Sequence, residues 1–230
     1  MTQTKNAVIL FDVQNVFKTA QDQFATKTEL EDRTFPHFYP ITLAQKIADA
    51  VSVQIHNSNI RVYTGVPTIK KARERHLYWS NKKLALKRSG VFFWESALRY
   101  SIDERGKEVP REKGVDVRIA LDIFKLGLES SHDAIIIASH DQDLVEAITE
   151  AQSALQTRGK IIEIYSAFPT KDVANDSANT KWQNDFPFPI KGCIRLPISE
   201  EMYRQSPDPR DFFPKSTPLP SRKAHTRVKF

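Results

Sequence analysis

A chain of 230 residues, 40% hydrophobic and 27% charged, has the makeup of a soluble globular protein, with room for one substantial domain plus additions or for two small ones. No apolar run approaches the roughly 20 residues that cross a bilayer, and the N-terminal "MTQTKNAVILFDVQN" has an apolar core too short for a signal peptide, with Asp12 interrupting it. Cys193 is the single cysteine, which excludes an intramolecular disulfide and a cysteine-built zinc site and points to a reducing cytoplasm, while the net charge of +6 suits polyanionic partners.

In chain order, short β-rich apolar runs alternate with longer segments of helical period, the pattern of an α/β domain around a parallel sheet. Strands are expected at Ala7–Asp12, Ile60–Gly65, Val91–Ser96, Ala134–Ser139 and Lys160–Ser166. The first and fourth are almost wholly apolar, as central strands covered on both faces should be. Helical stripes run through Leu43, Ile47, Ala50, Val51 and Ile55, through Val115, Ile119, Ile123 and Leu126, and through Leu144, Ile148, Ala151 and Leu155; Gly159 suits the end of the last.

Three segments stand outside this repeat. Lys18–Pro40 separates the first strand from its helix by more than the usual loop, and reads as a lid, a substrate-shaping loop or a surface insertion. "KKARERHLYWSNKKLALKR", Lys70–Arg88, has Glu74 as its only acid, and suits either a solvated helix face or a nucleic-acid contact. Beyond the domain expected over residues 1–168, residues 169–230 form a Pro-rich, basic extension, packed on the domain or partly disordered. It carries Trp182, Phe186, Phe212 and Phe213 and ends in the acid-free stretch Pro214–Phe230.

Ligands of open parallel sheets bind beyond the carboxyl ends of the strands, near the point where strand order reverses. This sequence puts acids there. Asp12 ends the first strand, with Asn15 in the next turn; "SHDQDL" places Asp141 and Asp143 after the fourth; "KGVDV" places Lys113 and Asp116 where a helix begins. Helix capping would explain Asp141 or Asp143 taken singly, and the helix dipole would explain Asp116. Asp12 is different, because an acid ending a buried apolar strand carries a desolvation cost that calls for a partner. Clustered carboxylates become tolerable around a cation, and all-oxygen donors select Mg²⁺ or Mn²⁺ over zinc. Asp122, about a third of a turn around the helix from Asp116, suits a supporting or surface role.

The order "ILFDVQN", "KGVDVRIALDIF", "DAIIIASHDQDLVEAI" and "GKIIEIYS" resembles the NYN domain, a branch of the PIN-like metal-dependent ribonucleases, and especially its LabA-like group, over Asn6–Ser166. His140 and Leu144 stand where that group usually has Gly and Phe. The resemblance implies an α/β, PIN-like three-layer fold with a central mostly parallel sheet of about five strands flanked by helices. It implies a metal-dependent endoribonuclease in which Asp12, Asp116, Asp141 and Asp143 bind Mg²⁺ or Mn²⁺ and Asn15 assists. Lys113 and the cations Lys70, Lys71, Arg73 and Arg75 would hold the RNA backbone, single-stranded or structured.

A non-catalytic PIN-like module that binds RNA or protein is the competing reading. A haloacid-dehalogenase-type phosphatase would need an acid at Gln14, and a dinucleotide-binding domain would need glycine in the turn after the first strand. No membrane partner is expected; a second copy of the chain or a regulatory protein partner stays open.

Overall fold

A computed structural model describes residues 5–129, 131–171, 187–209 and 212. Its centre is a parallel sheet. β1 (Lys5–Asp12) is flanked by β3 (Ile60–Val66) and β7 (Ala134–Ala138); β4 (Phe92–Ala97) lies outside β3, and β8 (Glu163–Pro169) then β9 (Ile194–Ile198) lie outside β7. The two-residue β2 (Val53–Gln54) joins the start of β1, and every pairing in this sheet is parallel. The chain builds outward from β1 through β3 to β4, then crosses back to start again at β7. Strand order therefore reverses between β1 and β7.

All five expected strands exist, inside a sheet of seven. β1 from Ala7 to Phe11 and β7 throughout are wholly apolar and buried on both faces, as strands covered by helices on each side must be. One face packs on α1 (Val13–Phe24), α3 (Pro40–Ala50), α4 (Arg73–Arg88) and α7 (Glu200–Arg204), through Val16, Leu43, Ile47, Trp79 and Tyr203 against Ile9, Phe11 and Ile136. The other packs on α5 (Val115–Glu129) and α6 (Val145–Thr157), whose Ile119, Ile123 and Ile148 meet Val8, Leu10 and Ile137. Successive β1 residues thus serve opposite cores, the period-two alternation of a strand.

Several expectations shift. Lys18–Pro40 is largely helical: α1 runs on to Phe24 and is followed by α2 (Lys27–Glu31), which Thr26 and Glu29 close with a reciprocal capping box. The helix expected to continue past Val51 stops at Ala50, where Ser52 takes a left-handed φ of 55° and turns the chain into β2. β8 begins three residues late, leaving Ile161 98% exposed. A hairpin, β5 (Arg99–Ile102) with β6 (Glu108–Arg111), rises between β4 and α5. Its turn is built by Asp103, whose Oδ1 accepts the N–H groups of Arg105 and Lys107, and by Gly106 at φ 73°. Residues 187–209 contribute β9 and α7. Trp182, Phe186, Phe213 and Pro214–Phe230 lie outside the described residues, whereas Phe212 packs on Tyr39 and Tyr78.

Candidate active site

The switch point between β1 and β7 opens into a cavity of about 290 Å³ lined by Asp12, Glu112, Asp116 and Asp141, with Gln14, Asn15, Lys18 and Val115 completing its wall. Asp12 ends β1 and is 8% exposed. Its Oδ1 caps α1 by accepting the Asn15 N–H at 3.0 Å. Burial first, then the nearby Glu112 and Asp141 carboxylates, push its pKa from an ordinary 3.8 to about 7. A rise of that size corresponds to roughly 4 kcal/mol against the ionised form. The rise is already net of the cap bond from Asn15, which lowers the pKa. Capping therefore does not account for a charged group at this position.

Asp141 follows β7 and accepts the Asp143 N–H at 3.0 Å, so it too is a cap, of a short 3₁₀ turn (Gln142–Leu144). Its position is fixed from behind. The Ser139 hydroxyl accepts the Asp141 N–H at 3.1 Å, and the Ser166 hydroxyl in the middle of β8 donates to the Ser139 carbonyl at 2.8 Å. Asn15 joins the two strand ends: its Oδ1 accepts the His140 N–H at 3.2 Å. His140 takes the place of the usual glycine without backbone strain, since Arg33 and Ser52 are the non-glycine residues with positive φ among those described. Its ring packs edge-on to Phe168 and its Nε2 lies 2.9 Å from the Thr19 hydroxyl. That hydroxyl donates to the Asn15 carbonyl, so Nε2 carries the proton toward it. Burial lowers the imidazole pKa, and Asp141 opposes this.

The opposite wall arises at the exit of the hairpin. Glu112 accepts the Gly65 N–H at the end of β3, and burial, then Asp116, raise its carboxyl pKa while Lys18 opposes them. A side chain at Gly65 would overlap the Glu112 and Leu98 side chains, so glycine here lets Glu112 approach the strand end closely. Gly114 turns the chain at φ 82° into α5, where Asp116 stands exposed in the first turn.

Of the residues singled out in the sequence, Asp12, Asn15, Asp116 and Asp141 surround one cavity. Asp143 does not line it and sits with Asp116 on a neighbouring groove between α5 and α6. Lys113 is exposed next to Glu112. Lys70, Lys71, Arg73 and Arg75 are exposed beyond the end of β3, outside the cavity lining, and Lys71 is bound to Glu108 of the hairpin. Asp122 is a buried structural acid, receiving the Tyr63 hydroxyl at 2.6 Å and flanked by Arg118 at 3.1 Å and Arg61 at 3.4 Å. Glu112 and Lys18 were missed. "REKGVDV" holds an acid beside the recognised block, and Lys18 lies one helical turn beyond Gln14 and Asn15; both were legible signals.

The donor chemistry fits a hard divalent cation, because all four acids are oxygen donors and a cation would favour the ionised Asp12 that the surroundings disfavour. Among the described residues no three His, Cys, Asp or Glu side chains are placed as ligands of a single ion. One or two carboxylates with water completing the shell is the usual manner of binding Mg²⁺.

A parallel sheet between two helical layers, with an acid-lined cleft at its switch point, defines an α/β domain of the PIN-like class. The NYN domain model matches residues 6–182, and the chain belongs to that family, whose members are generally nuclease-like and RNA-related and typically use divalent metals. No curated protein matches the chain. The crystal structure of a protein of unknown function from Vibrio parahaemolyticus is 20% identical, covering 73% of this chain and 84% of that one, with a TM-score of 0.40. No helix among the described residues is long and apolar enough to cross a membrane.

Proposed function

We propose that this chain is a metal-dependent endoribonuclease. The observation that carries this reading is Asp12: a buried carboxyl at the end of a central strand, raised to about 7, with Glu112, Asp116 and Asp141 around the same cavity. Asp12 and Asp141, aided by Asp116 and Glu112, would hold Mg²⁺ or Mn²⁺. Such an ion supplies an activated water and offsets the charge that develops on a phosphate. Asn15 keeps the ends of β1 and β7 in register, so that Asp12 and Asp141 face one space. Lys18 brings a cation to the cavity wall for the phosphate, and Lys113 with Lys70, Arg73 and Arg75 would hold the flanking RNA backbone.

A binding module without turnover is the second reading. It is favoured by the cap bonds that occupy one oxygen of Asp12 and one of Asp141, and by the lack of a preformed three-carboxylate set among the described residues.

Cleavage of end-labelled single-stranded RNA in Mg²⁺, Mn²⁺ or EDTA separates them, with wild type set against Asp12→Asn and Asp141→Asn after both variants are shown to fold. Metal-dependent cutting lost in both variants is expected. RNA bound but uncut under every condition would overturn the nuclease reading in favour of the binding module.

A further inference from the structure

The β5–β6 hairpin carries a charge arrangement that its own packing does not explain. Its register sets Arg99 directly opposite Arg111, with Tyr100 opposite Pro110 and Ile102 opposite Glu108. Facing residues on antiparallel strands have Cβ atoms about 4.5–5.5 Å apart, and like charges so placed destabilise the pair. Both arginines are exposed and have no ion-pair partner among the described residues. The acids that could relieve them are engaged elsewhere: Asp103 with the turn amides, Glu108 with Lys71, and Glu112 with the Gly65 N–H. Folding gains nothing from two opposed guanidinium groups, whereas an anion received between them makes charge-assisted hydrogen bonds to both.

The hairpin is also held in place. Lys71, from the segment between β3 and α4, binds Glu108 and lies 5.0 Å from the centre of the Tyr100 ring. At the hairpin's base the Leu98 N–H donates to the Val66 carbonyl at 3.0 Å, and Glu112 holds Gly65. Arg99 and Arg111 thus stand on a fixed backbone, and Arg111 directly precedes Glu112 of the cavity wall. Binding there orders side chains without having to order a loop, which lowers its entropic cost. The two sides of the cavity also differ in charge. On the α6 side, Asp116, Asp143, Glu146 and Glu150 line the neighbouring groove. On the β3–β4 side the hairpin arginines lie with the exposed Lys70, Arg73 and Arg75. A polyanion is repelled from the first side and drawn along the second.

We infer that the β5–β6 hairpin is the arm along which a single RNA strand enters the cavity, with Arg99 and Arg111 clamping its backbone phosphates just outside. This deepens the nuclease reading and rests on its assignment of RNA as the ligand; it does not require turnover.

The test uses the full chain in EDTA, where binding is read without metal-dependent cutting, and a fluorescently labelled oligouridylate of about 20 nucleotides, longer than most single-strand sites. Changing Arg99 and Arg111 together to Gln should weaken binding at low salt by about 5- to 20-fold. It should also flatten the dependence of log K on log salt by about 1.4, the share of two phosphate contacts on a single strand. Changing Lys27 and Lys125, exposed on α2 and α5, to Gln removes the same net charge and should alter both quantities far less. Because the like-charge pair opposes folding, Arg99→Glu should lose most of the binding while unfolding at no lower temperature than wild type. Equal losses in the two double variants, undiminished binding in the arginine variant, or a wild type that does not hold the oligouridylate would each overturn the arm. An Arg99→Glu chain that unfolds well below wild type would do so too, by giving the arginine to the hairpin itself. If the arginines bind the strand and no RNA is ever cut with Mg²⁺ or Mn²⁺, the arm stands and the nuclease reading fails. If RNA is cut and the arginines can be replaced without effect, the arm alone fails.

Discussion

Two charged side chains are buried in this molecule under very different terms. Lys82, on the buried face of α4, is fully buried, yet its ammonium donates to Asp208 at 2.8 Å and to the Phe38 carbonyl at 3.0 Å, and it lies 5.2–5.6 Å from the ring centres of Phe38, Tyr78 and Trp79. Burial pulls its pKa down, and Asp208 pulls it back. Around it the chain ties residues 206–208 to the segment before α3: Tyr39 N–H to the Ser206 carbonyl at 2.7 Å, and Asp208 N–H to the His37 carbonyl at 3.0 Å. Asp12 is nearly as buried, but the groups closest to it include Glu112 and Asp141, of its own sign, and its pKa rises to about 7. A buried charge supplied with counter-charge and donors is part of the architecture. A buried charge surrounded by its own sign is a place where something else is expected to bind.

The largest expected effect tests the structural side of this comparison. Lys82→Ala leaves Asp208 without its counter-ion and empties the aromatic cage, and should cost about 3–5 kcal/mol in chemical denaturation. A loss under about 1 kcal/mol would show that the buried pair is not what fastens this segment.

Asp12→Asn should move stability the other way. A carboxyl whose pKa is raised on folding loses stability as pH climbs from the unfolded value near 4 through the folded value near 7, so above pH 7 its full cost is present. Asparagine keeps the cap acceptor for the Asn15 N–H without the charge. The metal-free variant should therefore gain up to a few kcal/mol over wild type at pH 8 and little at pH 4, read by thermal unfolding at both pH values. In wild type, Mn²⁺ should raise the unfolding temperature more at pH 8 than at pH 5. A destabilised Asp12→Asn at pH 8 would place the acid with Lys82, as part of the architecture.

A smaller effect is expected at Asn15, which touches both strand ends. Asn15→Ala removes the acceptor of the His140 N–H, a loss of about 1 kcal/mol in stability. It should weaken Mn²⁺ binding by about 10- to 100-fold if the side chain orients the acids, as supports of metal ligands commonly do. Unchanged Mn²⁺ affinity would limit Asn15 to a structural tie.

Much of this was legible in the residues. The uninterrupted apolar runs at Ala7 and Ala134 announced the two central strands, and those strands carry Asp12 and Asp141 to one cavity. What the sequence hid follows from short range and edge position. β9 contains Pro197, which lacks an amide donor and suits the margin of a sheet, so "IRLPI" does not read as a strand until β8 is there to receive it. The hairpin is four residues a side with Pro110 in one strand, and its Gly106 turn was its one clear mark. Missing it meant missing Glu112, which reaches the cavity because the hairpin returns the chain beside Gly65. Asp143 lies outside the cavity lining for a related reason: alternate residues share a face only while the strand continues, and here the 3₁₀ turn starts after Asp141.

The backbone at His140 bears on how relatives of this chain can be found. The turn there has no positive φ, so it does not require the glycine usual in the group that the sequence resembles. Evolution is then free to fill it wherever a neighbour such as Thr19 offers a seat. A search pattern written around that glycine would discard chains built like this one. A pattern written around the Ser139–Asp141 spacing, the strand-ending Asp12 and its Asn15 would keep them, and would gather a more varied lineage under one architecture.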